Sequence, residues 1–201
     1  MAICSLIGLD KRCQSGCVRQ RSIMYFDGVI EGRFVELKSV TVDDAEFTRN
    51  IRLDPDFAEF FPPLNNTIEQ QKQWIENHKT KKGDYFFVVW DKKGNRIGTI
   101  SVYDIVGTCC ESGRLAIKGN AFQSTEAQML TFRFAFENLG MDTVLGYIFA
   151  DNERAIRFNK QFGCILDEPE MHDNGHMMVK ATYTKEAVEK ATERIKKMMY
   201  R

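Results

Sequence analysis

The chain has 201 residues, with 28 Lys and Arg against 28 Asp and Glu, so its formal net charge is zero. That balance argues against a nucleic-acid-binding domain, which carries a basic face, and no apolar run reaches the ~20 residues that a membrane-spanning helix needs. Hydrophobic residues make up 43% of the chain and include 15 Phe, enough for a sizeable core in one domain.

Residues 1–30 show no sustained periodicity and read as a loosely ordered leader, followed by a single domain over 31–201. The apolar start, Met1 to Leu9, is short. Its basic residues Lys11, Arg12, Arg19 and Arg21 follow it, the reverse of a secretory signal, and Met24 is an alternative start. Cys4, Cys13 and Cys17 fall in the leader, Cys109 and Cys110 in an expected loop, and Cys164 after an apolar helix. No disulfide framework is evident in that spacing, and a reducing cytoplasm is the simpler setting.

Phe34 to Val40 alternates apolar and polar residues, the pattern of a half-buried strand. Thr41 with Asp44 fits a capping box and predicts a helix to about Leu53, broken at Asp54-Pro55. Thr67 predicts the cap of a second helix, Ile68 to about Lys79. Tyr85 to Trp90 and Arg96 to Tyr103 read as a hairpin around Gly94. After a loop at Gly107 to Cys110, Arg114 to Ile117 is a short fourth strand. A long buried helix is expected from Ser124 or Thr125, with Thr125 and Gln128 as its capping pair, to Gly140. Thr143 to Ala150 is a strand, Glu153 to Phe162 a helix closed by Gly163, Cys164 to Leu166 and Met177 to Tyr183 two more strands, and Thr184 the start of a C-terminal helix. The order is that of a mixed α/β domain, and the unit from Arg114 to Ala150 requires a right-handed crossover.

The run Asn152-x-x-Ala155-Ile156-x-Phe158-x-x-x-x-Gly163 is similar to a signature of the GNAT N-acetyltransferases. The helix start Ser124-Thr-Glu-Ala127, the helix end Ala135-Phe136-x-x-Leu139-Gly140 and the preceding hairpin match as well. From Phe34 to Tyr183 the chain resembles that family, most closely its RimJ/RimL-like branch. The resemblance implies a GNAT fold, a mixed but mostly antiparallel twisted sheet of about seven strands flanked by helices. It also implies acetyl-CoA as co-substrate and transfer of the acetyl group to a primary amine. In such enzymes the loop before the long helix cradles the CoA pyrophosphate, using free N–H groups at a helix start. Here that loop is Gly119-Asn120-Ala121-Phe122-Gln123-Ser124, with Asn120 and Phe122 where the family commonly has glycine. A plain strand-to-helix loop is the other reading. Lys118 is placed to add a positive charge.

The implied CoA-binding residues are Leu115, Ile117, Gly119, Asn120, Phe122, Gln123, Ser124, Thr125, Asn152 and Asn159. Asn152 reads equally as a helix cap and as an amide for the pantetheine arm. A backbone N–H from Leu115 to Ile117 is implied for the developing oxyanion. Glu111 is the first candidate for the base that takes the ammonium proton, its other reading being a solvated loop carboxylate; Asp104 is a weaker candidate. The family's acid, a Tyr, falls on Asn159, so the role passes to water, Tyr147 or Tyr103, or is not needed.

His172 and His176 are separated by a turn, Asn174-Gly175, and Cys13 with Cys17 lacks a second ligand pair, so no metal is expected. Phe57, Phe60 and Phe61 read as core or as a cleft wall. The expected acceptor is the amine of a small molecule, first among them an amino sugar of surface-glycan synthesis, on a likeness to acetyltransferases of nucleotide-linked amino sugars. Asp54, Asp56 and Glu59 are compatible with a second acceptor, the N-terminus of a ribosomal protein. A non-catalytic acyl-CoA-binding module is the rival from another class. No nucleic acid or membrane partner is expected, and the protein is read as a cytoplasmic monomer or homodimer.

Overall fold

The computed structural model describes residues 25–173 and 175–200. The reading of residues 1–24 as a leader lies outside the described residues. The strands are β1 (Val29–Glu31), β2 (Val35–Ser39), β3 (Tyr85–Asp91), β4 (Arg96–Val106), β5 (Cys109–Ile117), β6 (Thr143–Phe149), β7 (Ile165–Leu166), β8 (Glu170–Met171) and β9 (Met177–Thr184). The helices are α1 (Ala45–Leu53), α2 (Ile68–His78), α3 (Ala121–Arg133), α4 (Glu153–Lys160) and α5 (Lys185–Met199). Nine strands replace the expected seven or so because β1 and β8 are two or three residues long, too short to leave a pattern.

All strands join one sheet in the order β1-β2-β3-β4-β5-β6-β9-β7, with β8 on β9. Every pairing is antiparallel except β5 with β6. The crossover through α3 makes that pair parallel. One face carries the main core, where Leu37, Phe87, Ile100 and Val144 meet Leu130, Phe132 and Phe134 of the α3 segment. α1 and α2 cover part of the other face, packing Ala45 and Ile75 on Val40, Phe86 and Val88. The Thr41–Asp44 capping box forms, but its first turn is a 3-10 turn at Val42–Asp44 before α1 proper. Thr67 caps α2 in a box with Gln70.

Two local expectations are corrected. Cys109 and Cys110 are buried in β5, not in a loop: β4 and β5 close through the two residues Gly107-Thr108, and Val106 pairs with Cys109. The long helix starts at Ala121, four residues sooner than its apolar stripe suggests, because Asn120 and Gln123 form the capping box. Thr125 and Gln128 are buried inside it. The helix ends in a π-turn at Phe134–Asn138, stopped by Gly140 at φ +70°.

A buried carboxylate ties the first strands to this helix. Glu126 of α3 accepts backbone N–H groups of Arg33, Phe34 and Val35 and the hydroxyl of Tyr200 after α5. The turn has a glycine because a Cβ on Gly32 would sit 2.5 Å from the Glu126 carboxylate. An interior carboxylate is tolerated only when its lone pairs are filled in this way.

Candidate active site

The site opens where β5 and β6 part. Their parallel ladder covers only Cys109 with Thr143, Cys110 with Val144 and Glu111 with Leu145. Beyond it β5 runs on to Ile117 along β4, and β6 runs on to Phe149 along β9. A bulge in β5 between Gly113 and Ala116 puts Arg114 at φ +52°, and Thr99 Oγ1 donates to the Arg114 carbonyl at 3.0 Å. Bulges bend the strand that carries them. The result is a cleft of about 1100 Å³ whose walls are the β5 edge (Ser112 to Ile117), β6 (Gly146 to Phe149), the starts of α3 and α4, and the Phe57–Phe61 segment.

Of the residues expected to hold CoA, Leu115, Ile117, Gly119, Ser124, Thr125, Asn152 and Asn159 line this cleft, as does Tyr147. Asn120, Phe122 and Gln123 do not. Asn120 Oδ1 accepts from the Gln123 amide at 3.0 Å, and Gln123 Oε1 accepts from the Asn120 amide at 2.9 Å. Phe122 turns away to stack on Phe34 at 5.6 Å. The segment is therefore a capped helix start and not a glycine loop. Neither Asn120 nor Phe122 has a positive φ, so no glycine is required at either. The N–H groups of Ala121 and Phe122 stay outside the helix's own ladder, as first-turn donors do. Lys118 adds no free charge, because its ammonium pairs with Asp54.

Asn152 caps α4, its Oδ1 accepting from the Ala155 amide at 2.9 Å while the residue lines the cleft. Asn159 is bonded on both sides: Nδ2 donates to the Ala155 carbonyl at 2.8 Å, and Oδ1 accepts from the Tyr183 hydroxyl. Tyr183 reaches the cleft from β9 and was not singled out in the sequence. Its alternation with Ala181 and Val179 marks only a core residue, and no linear motif tells that β9 passes behind Asn159. A Cβ on Gly146 would lie 3.9 Å from its hydroxyl and 3.7 Å from the Ser112 carbonyl, so this hydroxyl stands at the point where the strands separate. Tyr147 also lines the cleft, its ring 4.8 Å from that of His172.

Glu111 is one layer behind the cleft wall. Its carboxylate accepts from the Tyr103 hydroxyl, and that hydroxyl lies directly beneath Gly113, where a Cβ would come within 2.5 Å of it. Arg114 covers the Tyr103 ring at 4.3 Å. Burial pushes the Glu111 carboxyl up to about 7 and Asp104 adds to this, against the opposing pull of the Tyr103 hydrogen bond and Arg114. Burial likewise raises the Tyr103 hydroxyl well above its ordinary value. Asp104 itself is exposed, on a β4 bulge at φ +48°. Arg114 makes a two-pronged pair with Asp84, at 2.6 and 3.1 Å. Burial would raise the Asp84 carboxyl, but His78, Arg114 and Lys81 more than offset it and hold it well below the usual range. Among the described residues no cluster of His, Cys, Asp and Glu has the arrangement of a metal site.

The model of the acetyltransferase (GNAT) domain matches residues 35–165. The chain belongs to the GNAT acetyltransferase family. Among curated relatives of this acetyltransferase is acetyltransferase PseH of Campylobacter jejuni, 30% identical over 129 residues, which are 64% of this chain and 79% of that one. Among solved structures, apo FdhC, a nucleotide-linked sugar GNAT, superposes with a TM-score of 0.72 at 17% identity, covering 85% of this chain and 97% of FdhC. Spermidine N-acetyltransferase from Vibrio cholerae, in complex with CoA and spermine, superposes with a TM-score of 0.70 at 14% identity, covering 79% and 99%. At such identities the last two establish the shared fold. The enzyme is an N-acetyltransferase, with an open, mostly antiparallel sheet and its cleft at the one parallel pair. No described helix is long and apolar enough to cross a membrane.

Proposed function

We propose that this enzyme transfers the acetyl group of acetyl-CoA to a primary amine on an amino sugar. The observation that carries the reading is the parting of β5 and β6. It leaves β5 from Ser112 to Ile117 without a strand partner on its β6 side, facing a cleft that ends at a helix start. An extended pantetheine arm matches such an edge, since its amides can take up strand-like hydrogen bonds. The Ala121 and Phe122 amides at the α3 start suit the pyrophosphate. The amino-sugar assignment rests on the sequence likeness to acetyltransferase PseH and on the fold shared with FdhC, a nucleotide-linked sugar GNAT.

In this reading the chain's own groups divide the proton work. An incoming ammonium loses its proton towards Glu111 through the Tyr103 hydroxyl, which sits under the side-chain-free Gly113. A carboxylate that titrates near neutrality is suited to that task. A backbone N–H of the bulged β5 edge meets the oxygen on which charge develops. At the other end, the leaving thiolate takes a proton from water or from Tyr147, which lines the cleft, or leaves without an acid.

Titration calorimetry with acetyl-CoA tests the cleft. Saturable one-to-one binding is expected, and Asn152→Ala should weaken it several-fold, as loss of one neutral hydrogen bond of about 0.5–1.5 kcal/mol implies. Absence of binding by the wild type would remove the reading. An unchanged affinity in Asn152→Ala would restrict that residue to capping α4.

A further inference from the structure

Asp84 stands just before β3 with its side chain 2% exposed. Lys81 Nζ donates to its Oδ2 at 2.8 Å, and His78 Nε2, at the end of α2, lies 2.9 Å from its Oδ1. Arg114 takes both oxygens, at 2.6 and 3.1 Å. It reaches them from the β5 bulge, where its φ is +52°. A non-glycine residue persists in that region only where its surroundings fix it, and such residues gather at functional sites. Two contacts fix this one: the Asp84 pair at the guanidinium and the Thr99 hydroxyl at the carbonyl. Held in this way, the guanidinium carbon stands 4.3 Å from the centre of the Tyr103 ring. The hydroxyl of that ring donates to Glu111 and meets the cleft floor at Gly113.

The pair also decides what Arg114 does not do. The groups that bear on Glu111 are Tyr103 and Asp104 from β4, and Arg114 and the Cys110 thiol from β5. Of these only Arg114 is a cation, and it is one ring away from the carboxylate. A guanidinium turned onto Glu111 would hold that carboxylate ionised and make it a poor base. Forked pairing with a carboxylate fixes both the place and the direction of a guanidinium. We propose that Asp84 is a positioning residue for the proton transfer: it commits Arg114 to the Tyr103 ring, keeps it off Glu111, and so holds the Tyr103–Glu111 pair in line at Gly113. The proposal rests on the reading of Glu111 as the base given above.

The test follows the Glu111 carboxyl directly by NMR, in full-length protein with carbon-13-labelled glutamate side chains, the signal being assigned by its loss in Glu111→Gln. The wild type is expected to titrate at about 7. Asp84→Asn frees Arg114, and the titration should fall by roughly 1–3 pH units, as for a carboxylate beside a guanidinium. Arg114→Gln removes the cation, and the titration should rise instead. In the double variant the downward shift should vanish, because the cation that causes it is gone. With acetyl-CoA and a nucleotide-linked amino sugar, the acid limb of kcat/KM should move with each titration while KM for acetyl-CoA stays as in the wild type. In Arg114→Gln kcat on the alkaline side should still fall several-fold, since Tyr103 has lost its cover; a stronger base in a slower enzyme is the mark of lost positioning. Titrations unmoved in both single variants, or moved the same way in both, would overturn the proposal. So would a downward shift that persists in the double variant, or an Arg114→Gln enzyme as fast as the wild type, a result that decides even if Asp84→Asn does not fold. A wild-type titration near 7 with no matching limb in the rate would remove the base reading and this proposal with it. A limb lost in Glu111→Gln but unmoved by either substitution would remove the positioning proposal alone.

Discussion

Glu111→Gln is expected to lower kcat/KM for the amine roughly 10²- to 10⁴-fold, the range for a lost general base, with the affinity for acetyl-CoA unchanged. The amide keeps the shape and still accepts from the Tyr103 hydroxyl, but it cannot take a proton. The sign of the pH dependence follows from burial. The carboxyl is pushed up to about 7, so it is protonated and inactive as a base below that pH and ionised above it. The wild-type profile of kcat/KM should therefore rise through about pH 7 and level off on the alkaline side, until other groups intervene. Glu111→Gln should lack that limb. An ordinary solvated carboxylate would place the limb near ~4.3 instead. A profile with its limb there, or a variant as active as the wild type, would show that Glu111 does no proton work.

The second large effect concerns stability. Glu126→Ala removes the acceptor for three backbone N–H groups and the Tyr200 hydroxyl, all at a site 1% exposed. Each orphaned donor costs about 1–3 kcal/mol, less whatever entering water restores, so a loss of about 3–5 kcal/mol is expected. For a domain of this size each kcal/mol lowers Tm by roughly 2–4 °C. Glu126→Gln should fare little better, because its NH2 group points at N–H donors. Thermal unfolding followed by circular dichroism gives the answer. A fall under about 2 °C in both variants would mean that the β1–β2 turn and α5 do not depend on this carboxylate.

Much of the fold was legible because each element announced itself locally. Thr41, Thr67 and Thr184 cap helices as expected, Gly94 and Gly163 take positive φ where turns were read, and Asn152 opens α4. The start of α3 was misplaced because Thr125 and Gln128 imitate a capping pair inside the helix, while the true pair, Asn120 and Gln123, precedes the apolar stripe. Its two side chains then proved to serve the helix and not the cleft. β5 reads short because Cys109, Cys110, Glu111 and Ser112 do not alternate; β4 and β6 flank the stretch from Cys109 to Glu111.

The site was legible in part for the same reason. Leu115, Ile117, Asn152 and Asn159 belong to contiguous motifs and do line the cleft. Tyr183 belongs to none. It meets Asn159 across 24 residues. Contacts of that kind depend on sheet order and crossover, which no linear window contains. Glu111 reads as a loop carboxylate in the sequence, whereas in the fold it lies within β5, where burial pushes its carboxyl up.

The central claim, acetyl transfer to a sugar amine, is tested most directly by following free CoA thiol release from acetyl-CoA in the presence of a nucleotide-linked amino sugar, the same sugar unlinked, spermidine and an N-terminal peptide, with mass spectrometry of each amine. Release that depends on the nucleotide-linked amino sugar, with that sugar recovered N-acetylated, is the predicted result. Release that is the same with and without any amine, or acetylation confined to spermidine or the peptide, would contradict it.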